Sequence, residues 1–259
     1  MIRMSPLPAF EDNYIWLLRE PGSNVAAVVD PGDETPVFEA LAREGLTLTA
    51  ILITHHHGDH TGGVADLAAA YPRALVAGPR DARIRGLSVE VGEGDLLELP
   101  GFSRPFRVLA VPGHTASHVA YLSDGRLFCG DTLFAAGCGR VFDGTFAQLS
   151  ASLRRIAAMP PETLIYCAHE YTLANLGFAK WVEPESPALA EREQEARRLR
   201  AAGLPTLPAR LDLELATNPF LRTGEPGVIA AAEGFAGRRL DGHAEVFTAL
   251  RQWKDRRYD

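Results

Sequence analysis

The sequence predicts a mixed α/β domain followed by a small helical domain, and three observations carry that prediction. Short apolar segments bounded by turns recur through the first two thirds of the chain. Helical periodicity is interspersed among them, with apolar residues every three or four positions. From Leu173 onward the strand signal fades and the pattern becomes helical. The boundary is therefore placed between 172 and 173, giving domains 1–172 and 173–259. A chain of 259 residues has room for one large core or for a main domain with an appendage.

Taken in order, strands are predicted at 25–29, 50–53, 74–77, 106–111, 127–129 and 164–167. Helices are predicted at 35–44, 64–70 and 146–158. In the last third, 186–202 carries the charge-alternating run AEREQEARRLR, and 244–256 forms a final helix. Prolines in 183–187 and 205–208 break this region into short helices joined by loops.

Composition narrows the function classes. The chain is 46% hydrophobic, 23% charged and 8% aromatic, which is ordinary for a globular protein. A formal charge of -7 argues against general binding to nucleic acid or to a membrane surface, because phosphates attract basic patches. No apolar run approaches the roughly 20 residues of a membrane helix, and the first residues lack a charged-then-apolar leader, so a cytoplasmic location is expected. The three cysteines, Cys129, Cys138 and Cys167, form no C-x-x-C pair and read as buried thiols.

The chemistry concentrates at strand ends. The run ILITHHHGDH, 51–60, is an apolar strand leading into a His-x-His-x-Asp-His cluster. Imidazole and carboxylate suit zinc and related divalent ions, and a Gly-containing turn lets several of them aim at one point. Residues two apart on an extended strand share a face, which pairs His55 with His57. Asp59 and His60, beyond Gly58, can face a second point. Three further strands repeat the design, ending in His114, Asp131 and His169. One histidine after a strand is usually a hydrogen-bonded loop residue. Here six of the eight histidines lie in such segments, which favours metal binding. His56, on the opposite side from its neighbours, reads as a residue that orients them.

These residues, Thr54 to His60 with His114, Asp131 and His169, resemble the motif set of the metallo-β-lactamase superfamily. Within it the chain looks like the glyoxalase II, or hydroxyacylglutathione hydrolase, family over essentially its whole length. Supporting segments are Pro8 to Trp16, Gly130 to Phe134, Gly137 to Arg140, His169 to Thr172, Thr217 to Arg222 and the closing Arg251 to Asp255. The resemblance implies an αββα metallo-β-lactamase sandwich, 1–172, that is catalytic, and an α-helical C-terminal substrate-binding domain, 173–259. It implies that His55, His57 and His114 hold one metal, Asp59, His60 and His169 a second, and that Asp131 bridges them. It implies glutathione contacts from Arg140, Tyr171, Arg251 and Lys254. Two positions depart from the family pattern: Phe142 stands where a tyrosine is common, removing one hydroxyl contact to glutathione, and Ser117 stands where glycine is usual.

The implied activity is hydrolysis of S-2-hydroxyacylglutathione thioesters, such as S-lactoylglutathione to glutathione and lactate, the second step of methylglyoxal detoxification. Two cations roughly 3.5 to 4 Å apart can share a water, bring its pKa toward neutrality and stabilise the developing oxyanion. Asp59 and Asp131 would serve catalysis by fixing that arrangement. The thiolate leaving group, whose conjugate acid has a pKa of roughly 8.5, needs no dedicated general acid. The expected cofactor is two divalent ions per chain, zinc first, with iron or manganese as alternatives, and the chain is expected to act as a monomer. Two other readings stay open at this point: a glutathione persulfide dioxygenase with a single iron, and a metal-binding module without hydrolytic activity.

Overall fold

The structure, a computed structural model, describes residues 2–258. It divides into two compact units, one comprising residues through 110 together with 117–130, the other 111–116 together with 131 onward.

The first unit contains β1 (Arg3–Ala9), β2 (Asn13–Arg19), β3 (Val25–Val29), α1 (Thr35–Glu44), β4 (Thr47–Leu52), α2 (Gly58–Thr61), α3 (Val64–Ala70), β5 (Leu75–Pro79), β6 (Val89–Val91), β7 (Leu96–Leu97), β8 (Phe106–Ala110), β9 (Val119–Ser123) and β10 (Arg126–Gly130). Strands β1 to β6 form one sheet in chain order. Pairing is antiparallel from β1 to β3 and parallel from β3 to β6. The parallel strands are covered, so they read as continuous apolar runs such as VAAVV instead of alternating. Helices α1 and α3 cover one face, where Val37, Leu41 and Leu67 pack against Leu17, Val28 and Ile51. Strands β7 to β10 pair antiparallel in a second sheet. The Tyr121 hydroxyl on β9 ties the sheets together by donating to the Ile53 carbonyl at 2.8 Å, and burial pushes its phenol well above the ordinary value.

The second unit contains the hairpin β11 (Leu133–Phe134) and β12 (Gly137–Cys138), α4 (Phe146–Ala157), β13 (Leu164–Cys167), α5 (Thr172–Val182), α6 (Pro187–Ala201), β14 (Ala209–Arg210), α7 (Leu211–Thr217), α8 (Pro226–Ala236) and α9 (Gly242–Arg257). Thr145 caps α4 by accepting from the Gln148 amide, and Ser186 with Pro187 starts α6. Leu176 and Ala179 on α5 pack with Leu189 and Ala196 on α6 and Ala136 of the hairpin turn.

Elements with clear punctuation match expectation. α1 occupies 35–44, between Pro36 and the left-handed Gly45. Strand 106–111 stops at Ala110, because Pro112 has no amide hydrogen to extend the ladder. The hairpin of β1 and β2 is not anticipated: Pro6 and Pro8 interrupt the first strand, tolerable only because it is a sheet edge, and the second is buried almost throughout, so neither alternates. α7 and α8 are also additional, and Asp59 and His60 lie on the short helix α2, not in an open turn. All three cysteines are buried thiols. No helix among the described residues is long and apolar enough to cross a membrane.

Candidate functional site

In the first unit, the polar cluster begins where β4 ends. Asp30, just past the neighbouring parallel strand β3, takes a left-handed φ of 53° and accepts hydrogen bonds from the Thr54 amide at 2.7 Å and the Thr54 hydroxyl at 2.8 Å. The Thr54 hydroxyl proton is thereby committed. His55 Nδ1, 3.0 Å from that hydroxyl oxygen, must then donate to it, which leaves the Nε2 lone pair available. That Nε2 stands 3.1 Å from His57 Nδ1. His60 is fully buried, with Nδ1 3.1 Å from Asp30 Oδ2 and Nε2 3.4 Å from Asp59 Oδ2. His118 stacks flat on His55 with ring centroids 4.6 Å apart. His56 points elsewhere, its Nδ1 3.7 Å from Asp81. The Arg83 guanidinium and the Ser117 hydroxyl hold the Asp81 carboxyl well below the usual carboxylate range, against the opposing effect of burial.

The second unit gathers the other three predicted ligands. His114 Nδ1 donates to the Arg140 carbonyl at 2.8 Å, which again leaves Nε2 free of its proton. That Nε2 lies 3.5 Å from Asp131 Oδ2, while His169 Nε2 lies 3.4 Å from Asp131 Oδ1. Each carboxylate oxygen therefore faces a different histidine. Tyr171 stacks on His169 at 4.6 Å, nearly parallel, and Phe134 meets the same ring edge-on. Gly139 is required by this packing, since a Cβ there would stand 2.0 Å from the Asp131 carbonyl oxygen and 2.9 Å from His114 Nδ1.

The spacings test whether a cation fits. A charge-assisted N–H···O bond measures about 2.7 to 2.9 Å. Two donor atoms each about 2.1 Å from a tetrahedral ion stand roughly 3.4 Å apart. The Asp59–His60, His114–Asp131 and His169–Asp131 separations of 3.4, 3.5 and 3.4 Å match the second figure and exceed the first. The donor set is nitrogen and carboxylate oxygen, suited to zinc, iron or manganese. The chain thus carries His and Asp groups able to bind metal ions.

Among the predicted substrate residues, the Arg140 side chain is half exposed, with Nε 3.9 Å from Asp255. Arg251 has no exposure; it donates to the Cys138 carbonyl at 2.9 Å and to Asp255. Lys254 is mostly buried, its Nζ 5.9 Å from the Tyr258 ring centroid. Phe142 is exposed and meets His114 edge-on at 5.2 Å.

Several contributors escaped the sequence reading. Asp30 ends an apolar strand just as the predicted ligands do, so its signal was present. For His118 and for Gly139, the latter inside a segment that carries the family resemblance, the role itself is not legible, because it depends on which ring or carbonyl the fold brings against them. Asn13 and Gly32 are the same: the Asn13 amide donates to Asp59 at 3.0 Å, and a Cβ on Gly32 would meet the Asp59 carbonyl oxygen at 1.9 Å.

Comparison with known proteins gives a consistent result. The metallo-beta-lactamase superfamily profile matches residues 9–169, and that of the hydroxyacylglutathione hydrolase C-terminus matches 170–257. The chain is 54% identical to a hydroxyacylglutathione hydrolase from Alkalilimnicola ehrlichii, over 98% of this chain and 99% of the relative. It is 53% identical to one from Ectopseudomonas mendocina, over 99% and 100% respectively. Among solved structures, the BLEG-1 B3 metallo-beta-lactamase shares the fold, with TM-score 0.62 at 23% identity over 85% of this chain and 99% of that one. ETHE1 from Myxococcus xanthus superposes with TM-score 0.59 at 29% identity, over 85% and 96%.

Proposed function

The chain belongs to the metallo-β-lactamase superfamily and, within it, to the hydroxyacylglutathione hydrolases, and from that membership and the two ligand sets we propose that it hydrolyses S-2-hydroxyacylglutathione thioesters at a centre of two divalent ions. In this reading His55, His57 and His114 serve one ion, Asp59, His60 and His169 the other, and Asp131 serves both. The supporting observation is the division of Asp131, whose Oδ2 faces His114 and whose Oδ1 faces His169, the two histidines allotted to different ions. The pairs His55–His57 and Asp59–His60, each allotted to one ion, agree with it. Zinc is the proposed metal. Bound ions would supply Lewis acidity toward the thioester carbonyl and bring the pKa of water toward neutrality.

The chain's own residues prepare that chemistry. Thr54 and the Arg140 carbonyl hold the protons of His55 and His114 on Nδ1, so Nε2 is presented without rearrangement. Asp30 beside His60 favours the proton on Nδ1 in the same way. Glutathione carries two carboxylates. Arg140 and Arg251 share the single carboxylate of Asp255, and Lys254 lies one residue away, so this segment keeps positive charge on a protein whose net charge is -7. We assign glutathione recognition to Arg140 and Tyr171, which precede residue 173, together with Arg251 and Lys254 in a substrate-binding region from 173 on. Phe142 offers a ring face but no hydroxyl, so binding depends more on these charges.

The deciding experiment is steady-state hydrolysis of S-lactoylglutathione by the purified, metal-replete protein, followed as thiol release, with metal content measured alongside. Two ions per chain with turnover that disappears in Asp59→Ala support the proposal. Absence of thiol release from the metal-replete wild type retires it.

A further inference from the structure

The hydrogen bond from Asn13 to Asp59 has a consequence for how the metal centre is held. Asn13 closes the β1–β2 ladder opposite Ala9, directly after a turn in which Phe10 takes a left-handed φ of 51°. It opens a strand, NYIWLLR, that is polar again only at its last residue, Arg19, and it is only 7% exposed. A buried amide is costly unless bonded, and its Nδ2 donates to Asp59 Oδ2 at 3.0 Å.

Asp59 needs such a partner more than its buried neighbour His60 does. It lies on the four-residue α2, whose N-cap His57 supplies no side-chain cap. Its side chain is 39% exposed, whereas that of its neighbour His60 is not exposed at all. Packing restricts an exposed carboxylate less than a buried imidazole, so holding it in one rotamer falls more to its polar contacts. The oxygen that Asn13 grips is also the one 3.4 Å from His60 Nε2. Asn13 is itself fixed, because it pairs with Ala9 in the β1–β2 ladder and begins a strand that β3 also pairs from Trp16 onward. Gly32 reinforces the approach by leaving room for the Asp59 carbonyl.

We infer that Asn13 is a positioning residue for the Asp59–His60 side of the centre, preselecting the Asp59 rotamer that meets His60 and so setting how firmly that ion is retained. The inference rests on the metal reading under Proposed function. It makes the ion served by Asp59 and His60 selectively sensitive to a residue that does not touch it.

The test compares metal-replete wild type, Asn13→Ala and the isosteric Asn13→Asp, measuring bound zinc while a chelator is titrated in, and kcat and KM for S-lactoylglutathione. Wild type releases its ions at two chelator concentrations or one. In both variants one ion leaves at a concentration about 10 to 100 times lower, the usual effect of losing an outer-shell partner, while the other is released as in wild type. kcat falls with the lost ion and KM holds, a split that general loss of fold does not produce. Asn13→Asp keeps the volume and removes the donor, so it carries the test if Asn13→Ala does not fold. Release of both ions as in wild type, from whichever variant folds, overturns the tether alone. A wild type that binds no zinc takes the metal reading and the tether down together.

Discussion

The two clusters of proposed ligands are built in opposite ways. In the first unit His55, His57, Asp59 and His60 come from a single run that leaves β4, and their supports, Asp30 and Thr54, sit just past the ends of adjacent parallel strands of one sheet. In the second unit His114, Asp131 and His169 come from three separate places; His114 is held by the Arg140 carbonyl, Asp131 is approached by the Gly139 backbone, and His169 is stacked on Tyr171 two residues on. The 133–138 hairpin that follows Asp131 is in turn fastened by a buried network. Asn218 donates to the Phe134 and Gly137 carbonyls, Glu214 accepts from the Ala136 amide, and Arg192 bonds Glu214. A contiguous cluster tolerates loosening elsewhere, whereas a dispersed one inherits every weakness of its scaffold.

The comparison can be broken most decisively at the ligands. Asp131→Ala removes the residue allotted to both ions, so metal analysis should find neither retained and thiol release should fall well beyond the about 10 to 100-fold cost of an outer-shell change. Asp59→Ala should spare one ion. Equal metal loss in the two variants would contradict the distinction between a shared and a one-sided ligand.

Next in size is Arg192→Met, which leaves Glu214 buried without its guanidinium partner. Breaking such a pair costs about 3 to 5 kcal/mol, readable by urea unfolding. Metal affinity at Asp131 should drop with it if the second cluster depends on its scaffold. A pair of glycine variants sharpens the point: Gly139→Ala should weaken metal retention by about 10 to 100-fold, because its Cβ would collide with the Asp131 carbonyl. Gly58→Ala, beside the first cluster but with open space at its Cβ, should leave metal content unchanged.

A smaller effect concerns pH. Asp81 anchors Arg83 and Ser117, and its carboxyl is depressed in the folded state. Its contribution is therefore fully present above the unfolded carboxylate range, about pH 4, and is lost as pH falls below it. Asp81→Asn should lower Tm near neutrality by a few degrees, about what 1 kcal/mol does in a chain this long, and the gap from wild type should narrow in acid. The least change is expected from thiol reagents. Burial pushes Cys138 up to about 11 despite the nearby Arg251, so at pH 8 labelling of the folded protein should be slow until denaturant is added.

How much was readable in advance follows the same division. The run 55–60 announces itself because four candidate ligands at short spacing, three histidines and an aspartate, have few other uses, and α1 announces itself through Pro36 and Gly45. Asn13 and Gly139 give no such sign, since an amide in a strand or a glycine in a loop is commonplace until its neighbour is known. The helix α7 is unmarked for a related reason: Glu214 is a charged residue at a fully buried position, which weakens the apolar stripe that reveals a helix.

By itself the sequence determined the α/β class, the family and the donor types, because these depend on residue identity and local spacing. Tertiary structure alone decided which imidazole nitrogen is presented, which oxygen of Asp131 faces which histidine, and that Asn13 grips Asp59. Those outcomes depend on distances between groups far apart in the chain, and the packing of strands and helices sets such distances, not the order of residues along any one of them.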